Sequence, residues 1–177
     1  LTAEPTITNA TVMANYALVS NDERKRMACN ARDILIEQVQ SAPCNTFDPS
    51  RDKCPSYDLR FSHAVKALFF GVKNVTVKSA HSNYTCGLHV PSETGLNTNA
   101  LANTDPIDNV SLVYENAYRL GSMPASYYSL IQPFHHCEVI PPQTGYHMYS
   151  YALDLMSVDP TGSTNYGKLT NVSIVPV

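Results

Sequence analysis

The stretch "YDLRFSHAVKALFFGVKNVTV", residues 57–77, decides the fold class. Over 57–62 apolar and polar side chains alternate. Tyr57, Leu59 and Phe61 fall on one face and Asp58, Arg60 and Ser62 on the other. Successive strand side chains point to opposite sides, so this is the period of a half-buried β-strand. "HAV" reads as a turn. "KALFFGVKNVTV" (66–77) then reads as a second strand, buried on both faces in its middle, with Leu68 and Phe70 facing the same core as Phe61.

The same habit extends in both directions. "ITNATVMANYALVS" (7–20) reads as a long strand whose Val12, Ala14, Tyr16 and Leu18 share a face. It stops at "SNDERKRM", where Ser20 and Glu23 have the spacing of a capping box for a short helix. "DILIEQVQ" (33–40), "VSLVYENAYRL" (110–120), "GYHMYSYALDL" (145–155) and "GKLTNVSIVPV" (167–177) complete the predicted strands, and "ASYYSLI" (125–131) reads as a helical turn. Residues 79–109 show no periodicity, and a loop of that length usually carries function or a contact surface. Short apolar runs separated by Pro, Gly, Asn and Asp are the pattern of an all-β sandwich or barrel.

Composition narrows the function classes. A net charge of −3 provides no electrostatic footprint for nucleic acid. Charged residues make up 15% of the chain, below the usual quarter, which suits a surface covered by neighbouring subunits. The apolar run "AVKALFFGV" (64–72) contains Lys66 and is far shorter than the roughly 20 residues of a membrane span. The start "LTAEPTITNA" lacks the basic and apolar regions of a signal peptide, and opening on Leu reads as a piece of something longer. Cys29, Cys44, Cys54, Cys86 and Cys137 form no Cys-x-x-Cys pair. Their plain reading is reduced thiols, although Cys44 and Cys54 flank a short loop and could be bridged.

Several motifs invite chemistry. "DPTGSTNYGKL" (159–169) holds Gly-x-x-x-x-Gly-Lys from Gly162 to Lys168, most of a phosphate-binding loop. Leu169 stands where the magnesium-binding Ser or Thr belongs, and the alternation that follows is that of a strand rather than a helix. Without a helix N-terminus there is no dipole for the phosphate, so the nucleotide reading fails. His135, His136, Cys137 and Glu138 stand side by side; in a strand His135 and Cys137 could converge while His136 could not, and a loop rim or protein contact is the plainer reading. His63 follows Ser62, but no Gly-x-Ser-x-Gly turn accompanies them. Asp154 and Asp159 are carboxylates of a common kind. Asn9, Asn74, Asn83, Asn109 and Asn171 each head an Asn-x-Ser/Thr sequon, and without secretory signals none is expected to carry a glycan. No catalytic, cofactor-binding or metal-binding residues are assigned.

"DLRFSHAVKALFFGVKNVT", "SNYTC", "VSLVYENAYRL", "YSYALDL" and "PTGSTNYGKLTNVSI" resemble the major capsid protein of iridoviruses, within the nucleocytoplasmic large DNA viruses. "YALVSNDERKRM" and "ILIEQVQSAP" resemble it further upstream, in the same order, so the likeness runs from about Thr8 to Val177. It implies an antiparallel jelly-roll β-sandwich over 1–177, the C-terminal half of a double jelly roll, with short helical turns in its loops. The resemblance makes "DPTGSTNYGKL" a turn in which Gly162 and Gly167 serve backbone geometry. It also implies a strand beyond Val177, and aromatic residues where this chain has His135 and His136.

By the same resemblance the chain is a structural, non-enzymatic shell subunit without cofactors. It would form homotrimeric pseudo-hexagonal capsomers in an icosahedral virion, assembled in the host cytoplasm. Its partners would be itself, neighbouring capsomers and minor capsid proteins. An inner viral membrane would lie nearby without insertion, and nucleic acid would not be bound directly. The alternative is a jelly-roll binding module that recognises host glycans or a receptor through exposed loops such as 79–109.

Overall fold

The computed structural model describes residues 6–48, 50–52, 54–75, 82–86 and 104–177. The chain divides into two units, Leu1–Ile36 and Glu37–Val177.

In the first unit, helix α1 spans Asn21–Cys29 and begins as the sequence predicts. Ser20 Oγ accepts the Glu23 N–H at 3.3 Å, and Asp22 and Glu23 sit in the first turn, where the helix dipole favours acids. Glu23 also pairs with Arg26 at 3.6 Å and Arg32 at 3.7 Å, both exposed ion pairs that add little. The strand expected over 7–20 is absent. Its alternating face is exposed, with Val12 97% accessible. Alternation supplies a strand's side-chain pattern, but its backbone groups also need a neighbour, and no described strand pairs with it. The strand expected over 33–40 is absent for the same reason.

The second unit is built from antiparallel strands in two layers. Strands β1 (Tyr57–Asp58), β8 (Val172–Pro176), β4 (Asn109–Tyr114) and β5 (Ala117–Pro124) form one sheet, in that order. Two smaller pairs complete the strands: β2 (Ala64–Val65) with β7 (Thr164–Asn165), and β3 (Ala67–Phe70) with β6 (His147–Ser150). The core lies between them. Leu68 packs with Leu112, Tyr166 and Val172, and a second cluster joins Ile107, Val110, Ala125 and Tyr128 with Phe70 against it. A π-helical turn (Tyr127–Ile131) runs into helix α2 (Gln132–His136), consistent with the helical turn read from "ASYYSLI".

The core phase was legible, but the strand lengths were not. Tyr57, Leu59 and Phe61 are half-buried while Asp58, Arg60 and Ser62 are exposed, although only Tyr57–Asp58 holds a ladder. Leu68 is 6% accessible and Phe69 71%, so β3 buries one face rather than two. "HAV" is not simply a turn. His63 turns the chain with a positive φ of 64°, and Ala64–Val65 pairs with Thr164–Asn165. Residues 110–120, read as one strand, fold into a hairpin. Glu115 and Asn116 take φ of 48° and 64°, the left-handed pair of a two-residue hairpin turn. The Glu115 carboxylate then accepts the N–H groups of Thr170 and Asn171, fastening that turn to the approach to β8. The strand predicted at 145–155 shortens to His147–Ser150, and that at 167–177 starts only at Val172.

Candidate functional site

The phosphate-loop lookalike lies in an irregular corner. Thr164–Asn165 is strand β7, Tyr166–Lys168 is a single 3-10 turn, and Leu169 is already extended. Only Gly162 has the special backbone that glycine supplies. Its φ is 150°, and a Cβ there would stand 2.6 Å from the Tyr151 carbonyl oxygen. Gly167 has no positive φ; its N–H donates to Asn165 Oδ1 at 3.0 Å. The corner is therefore more than the simple turn expected, since it contributes strand β7. The alternation after Lys168 leads into β8, and no helix follows the lysine to present amides to a phosphate.

The His-His-Cys-Glu cluster is not a strand; it runs from a helix end into a loop where Glu138 is exposed. His135 and His136 close helix α2 and Cys137 caps it. His136 Nδ1 lies 3.0 Å from the Leu153 carbonyl oxygen, and the Cys137 thiol lies 3.3 Å from Met148 Sδ. Burial pushes the Cys137 thiol above its ordinary range. His136 and Cys137 therefore go to different partners, His135 is exposed at the end of the helix, and no group of three or more His, Cys, Asp or Glu converges among the described residues.

The remaining candidates occupy separate places. Ser62 has both backbone groups held by the Gln40 side chain, N–H to Oε1 at 2.8 Å and Nε2 to C=O at 3.1 Å. Its neighbour His63 has no side-chain bond among the described residues. Asp154 Oδ1 accepts the N–H groups of Met156 and Ser157 and caps its own loop, and Asp159 is exposed beyond it. All five cysteines are free thiols, so Cys44 and Cys54 are not bridged. Among the sequons, Asn83 Oδ1 accepts from the N–H and hydroxyl of Thr85, Asn109 begins β4, and Asn9 and Asn171 are exposed. Most of the 79–109 segment lies outside the described residues.

Two polar clusters were not legible as such in the sequence. His147 is wholly buried, stacks on Phe70 at 5.3 Å, and places Nε2 2.7 Å from Asp105 Oδ2. Asp105 comes from the aperiodic segment, where no spacing could announce the pair. Tyr151 joins its hydroxyl to those of Tyr114 and Tyr166, the latter at 2.7 Å. Burial is the largest cause raising the Tyr151 and Tyr166 phenols far above their ordinary value, and hydrogen bonding to both partners raises Tyr151 further. A buried un-ionised network of this kind holds strands in place and offers no catalyst at neutral pH. Among the exposed apolar side chains of the second unit are Leu130, Ile131, Phe134, Leu153, Met156 and Val158.

Comparison with known proteins gives one answer by three routes. The family described as large eukaryotic DNA virus major capsid protein matches residues 23–177. The major capsid protein of Invertebrate iridescent virus 3 is 55% identical over 172 residues, which is 97% of this chain and 37% of that protein. That of Lymphocystis disease virus 1 is 49% identical, over 97% of this chain and 38% of its own length. The chain thus spans little more than a third of these relatives. In three dimensions it resembles the PBCV-1 virus capsid, with a TM-score of 0.59 and 19% identity over 70% of this chain and 32% of that one. The Faustovirus major capsid protein matches with a TM-score of 0.52 and 12% identity, over 70% of this chain and 27% of the other. Those likenesses show the fold, an antiparallel jelly roll of the kind that builds viral shells.

Proposed function

Because the chain belongs to the large eukaryotic DNA virus major capsid protein family, we propose that it forms the C-terminal jelly roll of a shell subunit that assembles as a homotrimer. Three double jelly rolls would then give a pseudo-hexagonal capsomer, and capsomers would tile an icosahedral virion in the host cytoplasm. The observation that carries this reading is identity of about half to iridovirus major capsid proteins along nearly the whole chain. A sparsely charged sequence and the exposed apolar side chains of the second unit suit lateral association with further protein. On this reading the chain is a structural protein without catalysis. Its partners are copies of itself, neighbouring capsomers and minor capsid proteins, and it touches neither genome nor bilayer directly. Residues 1–177 would then be one domain to which a further strand of the whole protein is added.

The test is electron microscopy of the purified full-length protein with mass photometry alongside. Three-lobed particles of trimer mass are expected. A stable monomer or a dimer at micromolar concentration would sink the proposal.

A further inference from the structure

Three non-glycine residues have a left-handed backbone among the described residues: His63, Glu115 and Asn116. Two of them make the β4–β5 hairpin turn. The third, His63, lines an open groove of about 440 Å³ together with Phe61, Ser62, Asn165, Gly167 and Lys168. Strained backbone away from a tight hairpin is a pointer to a site, to be judged by what surrounds it. We propose that this groove binds an acidic sugar, a glycan residue carrying a carboxylate.

The lining supplies the necessary chemistry. Gln40 clamps the Ser62 backbone from both sides, which leaves the Ser62 hydroxyl as its polar group at the groove. Asn165 uses its side-chain oxygen to accept the Gly167 N–H, so its NH₂ remains available as a donor. Neither the His63 ring nor the Lys168 ammonium has a hydrogen-bonded or ionic partner among the described residues. Phe61, half-buried and tilted against Tyr166 at 6.0 Å, offers a ring for the apolar face of a sugar. Donors outnumber acceptors here, and the Lys168 cation has no ionic partner among the described residues, so an anionic group is favoured.

The same residues select a carboxylate over a phosphate. One lysine balances a monoanion but only half of a phosphate dianion, and no helix follows Lys168 to present further N–H groups. Hydroxyls on a sugar ring would pair with Ser62, His63 and Asn165, which a bare anion would leave unused. A groove of this volume falls within the range of small-ligand sites and accommodates a sugar ring. This inference is independent of the shell role.

The experiment is calorimetry and saturation-transfer NMR on the full-length protein with 3′-sialyllactose, lactose and inorganic phosphate as probes. Saturable binding of sialyllactose is expected, with lactose much weaker and phosphate unable to displace it at equal concentration. Lys168→Ala and Asn165→Ala should each weaken binding about tenfold, the loss expected for a hydrogen bond involving a charged group. Lys168 is exposed, so its variant should melt like the parent, whereas Asn165→Ala also removes the acceptor of the Gly167 N–H and should melt slightly lower. Equal binding of lactose, displacement by equimolar phosphate, unchanged affinity in both variants, or no saturable signal would each overturn the proposal.

Discussion

His147 and Asp105 meet inside the protein, with Nε2 2.7 Å from Oδ2 and the imidazole wholly out of water. The other ring nitrogen, Nδ1, has no partner among the described residues. Asp105 also receives the Ile107 N–H on Oδ1, so one carboxylate ties strand β6 to the approach of strand β4. Asp105→Ala leaves a buried imidazole with no hydrogen bond at all. The expected cost is about 1–3 kcal/mol in urea unfolding. Asp105→Asn, which keeps an acceptor, should lose less. Equal losses for the two would show that the pair contributes packing alone.

The buried phenols make a prediction about alkali. Burial raises Tyr128, Tyr151 and Tyr166 above the ordinary tyrosine value near pH 10. A group whose folded pKa is raised stabilises the fold fully below its unfolded pKa. That contribution is lost as pH climbs beyond it, because the unfolded chain releases its protons first. Stability should therefore fall above about pH 10. Absorbance at 295 nm should show the exposed tyrosines titrating first and the buried ones only with cooperative unfolding. Simultaneous titration of all eleven tyrosines in a folded protein would contradict the network.

Strand β3 gives a test of phase. Leu68→Ala should cost about 2–5 kcal/mol, because Leu68 is packed among Leu112, Tyr166 and Val172. Phe70→Ala should approach about 3 kcal/mol, since its ring packs edge-on against Tyr128 at 5.4 Å and stacks on His147. Phe69→Ala, with the side chain mostly in water, should stay within about 0.5 kcal/mol. Comparable melting of the Leu68 and Phe69 variants would mean the register of β3 against β6 is wrong.

These contrasts also show where the sequence was informative. Period two located the buried face at Tyr57, Leu59, Phe61, Leu68 and Phe70, because a half-buried strand writes its burial into every second residue. It could not locate strand ends, since a ladder stops where its neighbour stops. "LFF" read as buried on both sides because hydrophobicity says nothing about which face another layer will cover. The hairpin at Glu115–Asn116 was missed although Asn tolerates left-handed backbone, because the flanking alternation ran on through it. The groove at His63 and Lys168 joins residues about a hundred positions apart, a distance that no local pattern spans.

The phosphate-loop lookalike separates backbone need from ligand need. Lys168→Ala should leave folding and assembly unchanged, and the parent protein should show no saturable magnesium-dependent ATP binding by calorimetry. Gly162→Ala should cost about 1–3 kcal/mol, because alanine would have to occupy strained backbone against the Tyr151 carbonyl. The reverse pattern, a tolerant Gly162 with magnesium-dependent ATP binding lost in Lys168→Ala, would restore the nucleotide reading.

Strand β1 has β8 on one side and, among the described residues, no neighbour on the other. Open edges of this kind recruit strands. Residues 7–20 and 33–40 both read as strands from the sequence, yet neither holds a ladder. The relatives are more than twice as long as this chain, so a full-length protein of their length would have further polypeptide to place beside that edge. The family resemblance implies that such a strand would lie between 7–20 and Tyr57–Asp58. Its arrival would pair the backbone of both and cover Val12, Tyr16 and Leu18, which are now exposed. Hydrogen exchange should then show the amides of 12–18 protected in the full-length protein and open in the 177-residue piece. Fusing the relatives' following segment to the piece should raise its melting temperature, by about 2–4 °C for each kcal/mol gained at this chain length. Equal exchange in both forms, with no rise in melting temperature, would show that the β1 edge is complete as it stands.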